Sequence, residues 1–360
     1  MFQDALAAQR LPAAEVVPWL ALAEPGAATR VLADAPSGAI LRIDSMGEDT
    51  AVERALTRRG EVAARSEGSP AISAAALARI PHELGRIVHP RQHHLGFLAT
   101  LDDLAAVIAE HPDWRIVQPP RAIADLFDKR ITSAAWRAAG IPVPDVLPGG
   151  LVREPDDLRA RMRAAGWSRV YVKQASGSSA SCLAIFEQDR RGERAITTVE
   201  DTGDARYNTR KLQHVRTRRN LDRLLGFLLR EGAQVERAID KAMQGDRYFD
   251  LRVLTIDDVA AFVVMRTSPH EITNLNLGGL RGDVAALRAE IPDASWDAAM
   301  ATCRRVQRES GAFHVGVDIL FEPDFAHRVL EGNAFGDLLP NLERDGLDVY
   351  GWQIRRLVGA

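Results

Sequence analysis

The chain contains little cysteine and shows no long hydrophobic run. Its 360 residues include two cysteines, Cys182 and Cys303, with no CxxC spacing. This excludes a disulfide scaffold and a thiolate zinc site, and it suits a reducing compartment. No apolar run approaches the ~20 residues that cross a bilayer, and charged residues interrupt the N-terminal stretch, so we expect neither a membrane span nor a signal peptide. A net charge of −3 gives no overall attraction to nucleic acid. We therefore expect a cytoplasmic globular protein of two or three domains.

Lysine is almost as scarce. Of the 46 basic residues only four are lysines, which leaves 46 − 4 = 42 arginines. Lysine carries a compact charge on a flexible stem, and arginine cannot replace it everywhere. A lysine in this chain is therefore a rare choice, and Lys129 and Lys173 are the first candidates for a functional role.

The N-terminal third predicts a small open α/β sheet. Strand-like runs lie at 28–33, 38–44 and 114–120, and amphipathic helices lie at 51–60 and 98–111, the second with Thr100 as N-cap. No GxGxxG sequence is present, so this part gives no sign of a dinucleotide site.

The remaining two thirds alternate between helices and β-hairpins. We expect helices at 121–140, 295–311 and 347–359, and an extended segment at 141–148, where proline recurs. We expect hairpins at 169–188 and 315–335, and three further strands at 234–239, 249–256 and 259–267. Domain boundaries are expected near 118–121 and 200–208.

The second hairpin carries a candidate magnesium site. Asp318 and Glu331 lie on facing strands, and Asn333 shares the face of Glu331 because side chains alternate along a strand. Two carboxylates and an amide oxygen are the ligands that Mg²⁺ prefers. The competing interpretation is a pair of solvated strand residues.

The first hairpin carries a candidate phosphate-binding flap. Lys173 precedes the small-residue turn 176–181, where backbone N–H groups and an ammonium group can hold phosphate oxygens. An ordinary lysine before an ordinary turn is the alternative.

A third group of polar residues lies between the two hairpins. Asp250 and Arg252 share one strand face, Arg266 lies on the next strand, and Asn274 follows in a loop that ends in two glycines. Arginine offers a planar fork for phosphate or carboxylate. A structural ion pair between Asp250 and Arg252 is the alternative.

The order of these motifs resembles the ATP-grasp superfamily, most closely its RimK-like carboxylate–amine ligase branch. The motifs are the DK helix start, GIPVP, the strand lysine, VER, FDLRV, MRT…NLNLGG, GVDIL and LEGN, over residues 121–345. The resemblance implies an α/β (α+β) fold, with a pre-ATP-grasp domain (1–120), a lobe with the lysine strand and flap (121–204), and a lobe with the metal site (205–360).

The resemblance also implies roles for individual residues. Lys129 and Lys173 would contact the ATP phosphates, and Ser176, Gly177 and Ser178 would form the flap. Further positions fall into three sets: a hinge that holds adenine (Glu236, Arg237, Ala238) with Asp240 at the ribose, residues that face the transferred phosphate (Arg252, Arg266, Asn274), and magnesium ligands (Asp318, Glu331, Asn333).

The implied reaction joins an acid to an amine at the expense of ATP, with one or two Mg²⁺ ions or Mn²⁺ in their place. The partners are small-molecule or peptide acids and amines, without nucleic acid or membrane, and a homo-oligomer is compatible with the sequence. The alternatives are an ATP-grasp kinase that phosphorylates a hydroxyl group and a non-catalytic ATP sensor.

Some features depart from this pattern or lie outside it. The flap SGSSAS is poorer in glycine than is usual in the family, and GDLLPNL replaces its Pro-Gly ending. The basic run 206–219 indicates either a site for an acidic substrate or a solvated loop. The histidines at 82–94 show no metal-ligand spacing, so a structural role is favoured over a metal site.

Overall fold

The computed structural model describes residues 1–177, 180–336 and 340–359 and shows a mixed α/β fold. No helix in these ranges is long and apolar enough to cross a membrane. Three structural regions follow one another along the chain: a helical N-terminal region, a small lobe and a large lobe.

The N-terminal region consists of short helices around one long helix and a two-stranded parallel sheet. Its elements are α1 (Phe2–Ala8), α2 (Trp19–Leu22), α3 (Ala27–Val31), β1 (Ile40–Leu41), α4 (Thr50–Arg59), α5 (Glu61–Ser66), α6 (Ala74–Arg79), α7 (Pro90–Ala109), β2 (Arg115–Ile116) and α8 (Pro120–Leu126).

The small lobe is an antiparallel sheet of five strands in the order β6-β5-β4-β3-β7, with helices packed on it. After α9 (Lys129–Ala138), the elements are α10 (Pro155–Ala164), β3 (Arg169–Lys173), β4 (Leu183–Asp189), β5 (Gly192–Asp201), β6 (Arg206–Val215), α11 (Arg218–Arg230) and β7 (Gln234–Arg237). Its own apolar core joins the sheet to the two helices through Val172, Phe186, Leu158 and Leu225.

The large lobe is built on a second sheet with the strand order β11-β10-β9-β12-β13, and β8 pairs with β9. Its elements are β8 (Met243–Gln244), β9 (Arg247–Ile256), β10 (Val259–Ser268), β11 (Leu280–Arg281), α12 (Val284–Glu290), α13 (Asp293–Ser310), β12 (His314–Phe321), β13 (His327–Asn333), β14 (Glu343–Arg344), β15 (Leu347–Asp348) and α14 (Val349–Val358).

One core unites the N-terminal region with the large lobe. Phe97 and Leu101 of α7 belong to the same buried cluster as Phe249 of β9 and Val317 of β12. The N-terminal region therefore does not have a core of its own, although the sequence suggested a boundary near 118–121.

The two predicted hairpins and the three further predicted strands are confirmed, whereas β5 and β6 of the small lobe were not predicted. β3 pairs with β4, and β12 pairs with β13, both antiparallel. The boundary expected at 200–208 falls in the turn between β5 and β6, which pair with each other. Because one sheet includes residues on both sides of this turn, the change of sheet comes later, after Arg237.

Several predictions for the N-terminal region are wrong. Residues 27–31 are helical although a strand was predicted at 28–33, and Ala27 and Ala28 of this helix are buried in the core. Thr100 does not cap a helix: α7 begins at Pro90, and the Thr100 hydroxyl donates to Gly96 O at 3.0 Å inside it. The helix expected at 121–140 is divided at Asp128, which caps the second half.

Candidate functional site

A cleft of about 840 Å³, open to solvent, lies between the sheets of the two lobes. The end of β7, at Glu236 and Arg237, connects the lobes along one side of it. Of the predicted site residues, nine line this cleft: Lys129, Lys173, Gly177, Glu236, Arg237, Arg266, Asn274, Asp318 and Glu331.

Lys129 reaches the cleft from the start of α9. Asp128 caps this helix by accepting from Arg130 N at 2.9 Å, so the position of Lys129 is fixed by a strong N-cap. The Lys129 Nζ donates to Gly177 O at 2.5 Å and lies 3.2 Å from Glu331 Oε2. One ammonium group thus joins the flap of the small lobe to a carboxylate of the large lobe.

Lys173 reaches the cleft from the end of β3. Its Nζ lies 2.5 Å from Glu236 Oε2 on β7 and 5.4 Å from the ring centre of Tyr171. Glu236 is buried, and its other oxygen accepts from Gln234 Nε2 at 2.6 Å. Glu236 therefore holds the ammonium group at the hinge end of the cleft.

Asp318 lies in a buried network with two arginines. Arg252 donates to both of its oxygens, and Arg266 Nη2 lies 3.0 Å from Oδ2. Burial alone would raise the pKa of Asp318, but the two guanidinium charges outweigh it and hold the pKa well below its usual value. Asp318 is therefore an anion at neutral pH.

The strand register places the predicted metal ligands on one face. Asp318 lies directly opposite Glu331, and Gly316 lies opposite Asn333, with a bulge only beyond Asp318. Asn333 Nδ2 donates to Gly316 O at 3.0 Å, and Asn333 does not line the cleft. No group of three His, Cys, Asp or Glu side chains within the described ranges is arranged to hold a metal ion.

The donor set nevertheless fits a magnesium ion that is shared with phosphate. Two carboxylates face each other across paired strands, and each is balanced here by a lysine or arginine. Oxygen donors of this kind suit Mg²⁺, which is held in many sites by one or two carboxylates together with phosphates and water. Asp318 and Glu331 are the residues that would hold it.

Lys241 belongs to the cleft, although the sequence argument did not select it. Its side chain is 7% exposed and lies between Asp250 Oδ2 at 3.3 Å and Thr273 Oγ1 at 3.1 Å. Burial and the nearby charge of Arg266 lower its pKa, although Asp250 opposes this shift. Three of the four lysines thus converge on one cleft, and the scarcity of lysine was a signal that pointed to Lys241 as well.

Arg266 and Asn274 both line the cleft near Lys241. Arg266 Nε lies 2.6 Å from Asp250 Oδ1, on the neighbouring strand. Asn274 caps a short turn by accepting from Asn276 N at 2.8 Å. Arg252 is not part of the cleft wall, because it lies buried against Asp318.

The other predicted residues fall outside the cleft wall or outside the described part of the chain. Ala238 does not line the cleft, and its N–H donates to Arg169 O at 3.1 Å. Asp240 is exposed, and Ser176 is half-buried beside the flap. Ser178 lies outside the described residues. Apolar positions that the sequence argument missed complete the wall, among them Ile239, Leu320 and Leu330.

A loop of the large lobe contacts the small lobe across the cleft. Glu271 accepts from Arg169, and the Tyr171 hydroxyl donates to it at 3.3 Å. Ile272 packs in one apolar cluster with Leu183 and Ile185. These contacts fix how close the two lobes lie.

Two further sequence features lie away from the cleft wall. The basic run is not a loop, because residues 206–215 form the edge strand β6. His94 is buried in α7 and His93 is half-buried, and desolvation lowers the pKa of His93 to about 4 and that of His94 to about 3.

Comparisons with known proteins show similarity of fold. No protein-family model matches the chain, and no curated protein matches it. The fold is similar to that of the ATP-grasp ligase PsnB in complex with a minimal precursor, at 18% identity over 90% of this chain and 99% of that chain, with a TM-score of 0.47.

Two other solved structures show a similar degree of likeness. The D-alanine–D-alanine ligase from Bacillus anthracis, complexed with ATP, is 14% identical over 70% of this chain and 72% of that chain, with a TM-score of 0.44. The macrocyclase MdnC from Microcystis aeruginosa MRC, bound with its precursor peptide MdnA, is 14% identical over 81% and 76%, with a TM-score of 0.44. Because all three TM-scores are below 0.5, these similarities support no functional argument. The functional proposal therefore depends on the residues that line the cleft.

Proposed function

We propose that this chain is an ATP-grasp enzyme of the RimK-like type, which binds Mg²⁺–ATP in the cleft and joins a carboxylate to an amine. The observation that carries the proposal is the convergence of Lys129, Lys173 and Lys241 on one cleft that also contains Asp318 and Glu331. Isolated cations and carboxylates are common on surfaces. A cleft that gathers three of only four lysines suits anionic ligands, here the phosphates of a nucleotide and the carboxylate of a substrate.

The hinge end of the cleft suits the nucleotide base. Ile239, Leu320 and Leu330 supply apolar surface there, and Tyr171 supplies an aromatic ring. We therefore assign adenine to this end and the phosphates to the end near Lys129, with Lys173 between the two.

The chain's own residues position the phosphates and the reacting acid. Lys129 and Lys173 neutralise phosphate charge, and Arg266, Lys241 and Asn274 bind the carboxylate that receives the γ-phosphoryl group. A magnesium ion on Asp318 and Glu331 would supply further charge neutralisation at the phosphate oxygens. An amine then displaces phosphate from the acyl phosphate and forms an amide, so positioning and electrostatics provide the catalysis.

The contacts between the lobes protect such an intermediate. An acyl phosphate is hydrolysed if water reaches it, and the loop that carries Glu271 and Ile272 closes one side of the cleft against the small lobe. We also propose that the enzyme works in the cytoplasm, since Cys182 and Cys303 are free and buried.

The product of the reaction tests this proposal. Enzyme and Mg²⁺–ATP are incubated with amino acids, short peptides or other small acids, and hydroxylamine replaces the amine. We expect ADP and a hydroxamate, detected by mass spectrometry, only when an acid is present. A phosphate ester formed from a polyol without any carboxylate would instead establish a kinase, and ATP binding without ADP formation under any condition would leave only a sensor.

A further inference from the structure

The flap between β3 and β4 returns to the sheet through an uncommon backbone conformation. Ala180 has a φ of 58° and Cys182 a φ of 51°, in the left-handed region that is disfavoured for residues with a Cβ atom. Such conformations persist where surrounding contacts hold them, and they occur often in ligand-binding segments. Ala180 and Ser181 line the cleft, whereas Cys182 belongs to the core of the small lobe. We call residues 180–182 the second arm of the flap.

The first arm of the flap is held by α9. Lys129 N donates to Ala175 O at 3.0 Å, and Lys129 Nζ donates to Gly177 O at 2.5 Å. The two arms are joined by a bond from Gln174 N to Cys182 O at 3.2 Å. The contacts that hold the two left-handed residues of the second arm come from the neighbouring strands β5 and β6.

A threonine hydroxyl on β5 joins the second arm to the start of β4. Thr198 Oγ1 donates to Ala180 O at 2.8 Å and accepts from Leu183 N at 3.3 Å. Thr198 is 2% exposed, so these bonds are shielded from water. The register between β5 and β6 shifts between Thr197 and Val199, and an irregularity of this kind re-aims a side chain out of the regular ladder.

An asparagine on β6 holds the other left-handed residue. Asn208 Oδ1 accepts from Cys182 N at 3.1 Å. Asn208 is exposed, but its backbone is held by the N-terminal region, because Asn208 N donates to Gly85 O at 2.7 Å. Gly85 has a φ of 76°, and a Cβ atom there would lie 2.8 Å from Asn208 O, so this close approach requires glycine. The N-terminal region thus reaches the flap through Asn208.

We propose that Thr198 and Asn208 are positioning residues of the phosphate flap, which hold its second arm in the conformation that receives ATP. This inference rests on the function proposed for the cleft. An arm that is already fixed loses no further freedom when phosphate binds, whereas a loose arm must be ordered by the nucleotide. Neither residue is among the described residues that line the cleft, so both act through the arm rather than by contact with the ligand.

The same two side chains account for the small number of glycines in this flap. Glycine adopts a positive φ without steric cost, and a flap rich in glycine reaches such conformations unaided. Here alanine and cysteine occupy the two left-handed positions, and hydrogen bonds from β5 and β6 stabilise what glycine would permit.

Thr198→Val removes the hydroxyl with little change of shape, and Thr197→Val is its matched control. Both threonines are buried on β5, and the Thr197 hydroxyl donates to Leu183 O at 2.7 Å, beyond the second arm. In titration calorimetry we expect Thr198→Val to raise the Kd of Mg²⁺–ATP at least fivefold and Thr197→Val to change it less than twofold. An unchanged Kd in Thr198→Val, or an equal rise in both variants, would overturn the proposal.

Rescue by glycine separates positioning from a general effect on stability. Because glycine adopts a φ near 58° freely, Ala180→Gly makes the Thr198 bond less necessary. We expect the double variant Thr198→Val/Ala180→Gly to bind Mg²⁺–ATP at least threefold more tightly than Thr198→Val alone. No recovery of affinity would show that the hydroxyl supports the fold alone, which contradicts the proposal.

Asn208→Ala tests the second contact at an exposed position, where folding is expected to survive. Gln213→Ala on the same strand is the matched control, because the Gln213 amide donates to Lys211 O at 3.1 Å, away from the flap. We expect Asn208→Ala to raise the Kd of Mg²⁺–ATP at least threefold and Gln213→Ala to change it less than twofold. Equal affinities of these two variants would remove Asn208 from the positioning role.

Hydrogen exchange without nucleotide tests the held arm independently of ATP binding. The Cys182 amide keeps its acceptor Asn208 in Thr198→Val, so faster exchange there reports loosening of the whole arm. Mass spectrometry of overlapping peptides should show at least tenfold faster exchange of this amide in Thr198→Val, and an unchanged rate in Thr197→Val. Equal rates in these two variants would disprove the held arm even if ATP binds. A protein that binds no ATP would disprove the proposed function and the role in ATP binding, while the exchange rates would still decide whether Thr198 holds the arm.

Discussion

Lys173 Nζ lies 2.5 Å from Glu236 Oε2, which joins the end of β3 to the end of β7 at the hinge of the cleft. Glu236 is 3% exposed, so this ion pair lies within the protein rather than on its surface. An ion pair in this position holds the ammonium group in place without covering it, because Lys173 itself lines the cleft. The charge at this point is therefore preorganised for an anionic ligand.

We predict that Lys173→Arg weakens ATP binding at least tenfold. The guanidinium group is larger and planar, and it cannot occupy the space of a compact ammonium group between Glu236 and the flap. Lys211→Arg is the matched control, because Lys211 lies exposed on β6 and takes no part in the cleft wall. Fluorescence titration with a nucleotide analogue measures the nucleotide affinity of both variants. Equal affinity in the Lys173→Arg variant and the unmodified protein would show that the phosphates bind elsewhere.

Neutralising the two carboxylates should have different effects on stability. Asp318 is buried between Arg252 and Arg266, so Asp318→Asn leaves guanidinium charge uncompensated and costs about 3–5 kcal/mol of unfolding free energy. Glu331 is partly exposed, and Glu331→Gln should cost less than about 1 kcal/mol.

Both substitutions should lower ADP release by about 100-fold or more, because each removes an anion from the proposed magnesium site. Urea unfolding gives the stability of each variant, and ADP release gives its turnover. Glu331→Gln is the decisive variant, since its fold is expected to survive. Near-normal turnover in that variant would show that Glu331 is not a metal ligand.

Lys241→Met should affect the acid substrate more than ATP. Lys241 lies with Arg266 and Asn274 in the part of the cleft that we assign to the carboxylate, and Asp250 remains paired with Arg266 after the substitution. We expect the KM for the acid to rise at least tenfold while the Kd of ATP changes less than threefold. A loss of ATP affinity without an effect on the KM of the acid would assign Lys241 to the phosphates instead.

The sequence predicted most strands of the two lobes because they are runs rich in β-branched and aromatic residues that end at turn residues, but it missed β5 and β6. It also predicted which side chains share a face, and Asp318 and Glu331 lie opposite each other as expected. The N-terminal region was predicted less well. Its elements other than α7 are short, and their positions depend on packing against the large lobe, which no local sequence pattern predicts.

The residues of the candidate site, like the elements of the fold, were predicted only in part. Lys129 and Lys173 were predicted from the sequence motifs and from the scarcity of lysine. Lys241 lies in a segment without regular secondary structure, and only the fold brings it beside Asp250. Arg252 was predicted to face the ligand, but its register partner Asp318 draws it into the buried network. Side-chain pairing across strands is a tertiary property, so strand periodicity predicts the face of Arg252 and not its partner.

Stability should depend on pH through Glu231, which caps the end of α11 and is buried. Burial raises the pKa of Glu231 to about 7, although the Arg91 N–H and nearby arginines oppose the shift. Because the folded pKa exceeds the unfolded value, Glu231 contributes stability below pH 4.5 that is lost as the pH rises through about 7. The loss should approach about 3 kcal/mol, since each pKa unit corresponds to about 1.4 kcal/mol.

Urea unfolding at pH 5, 6, 7 and 8 should show this decrease in the unmodified protein and a flatter profile in Glu231→Gln, with Glu200→Gln at an exposed position as the control. Identical pH profiles for Glu231→Gln and the unmodified protein would show that Glu231 is not the group that titrates.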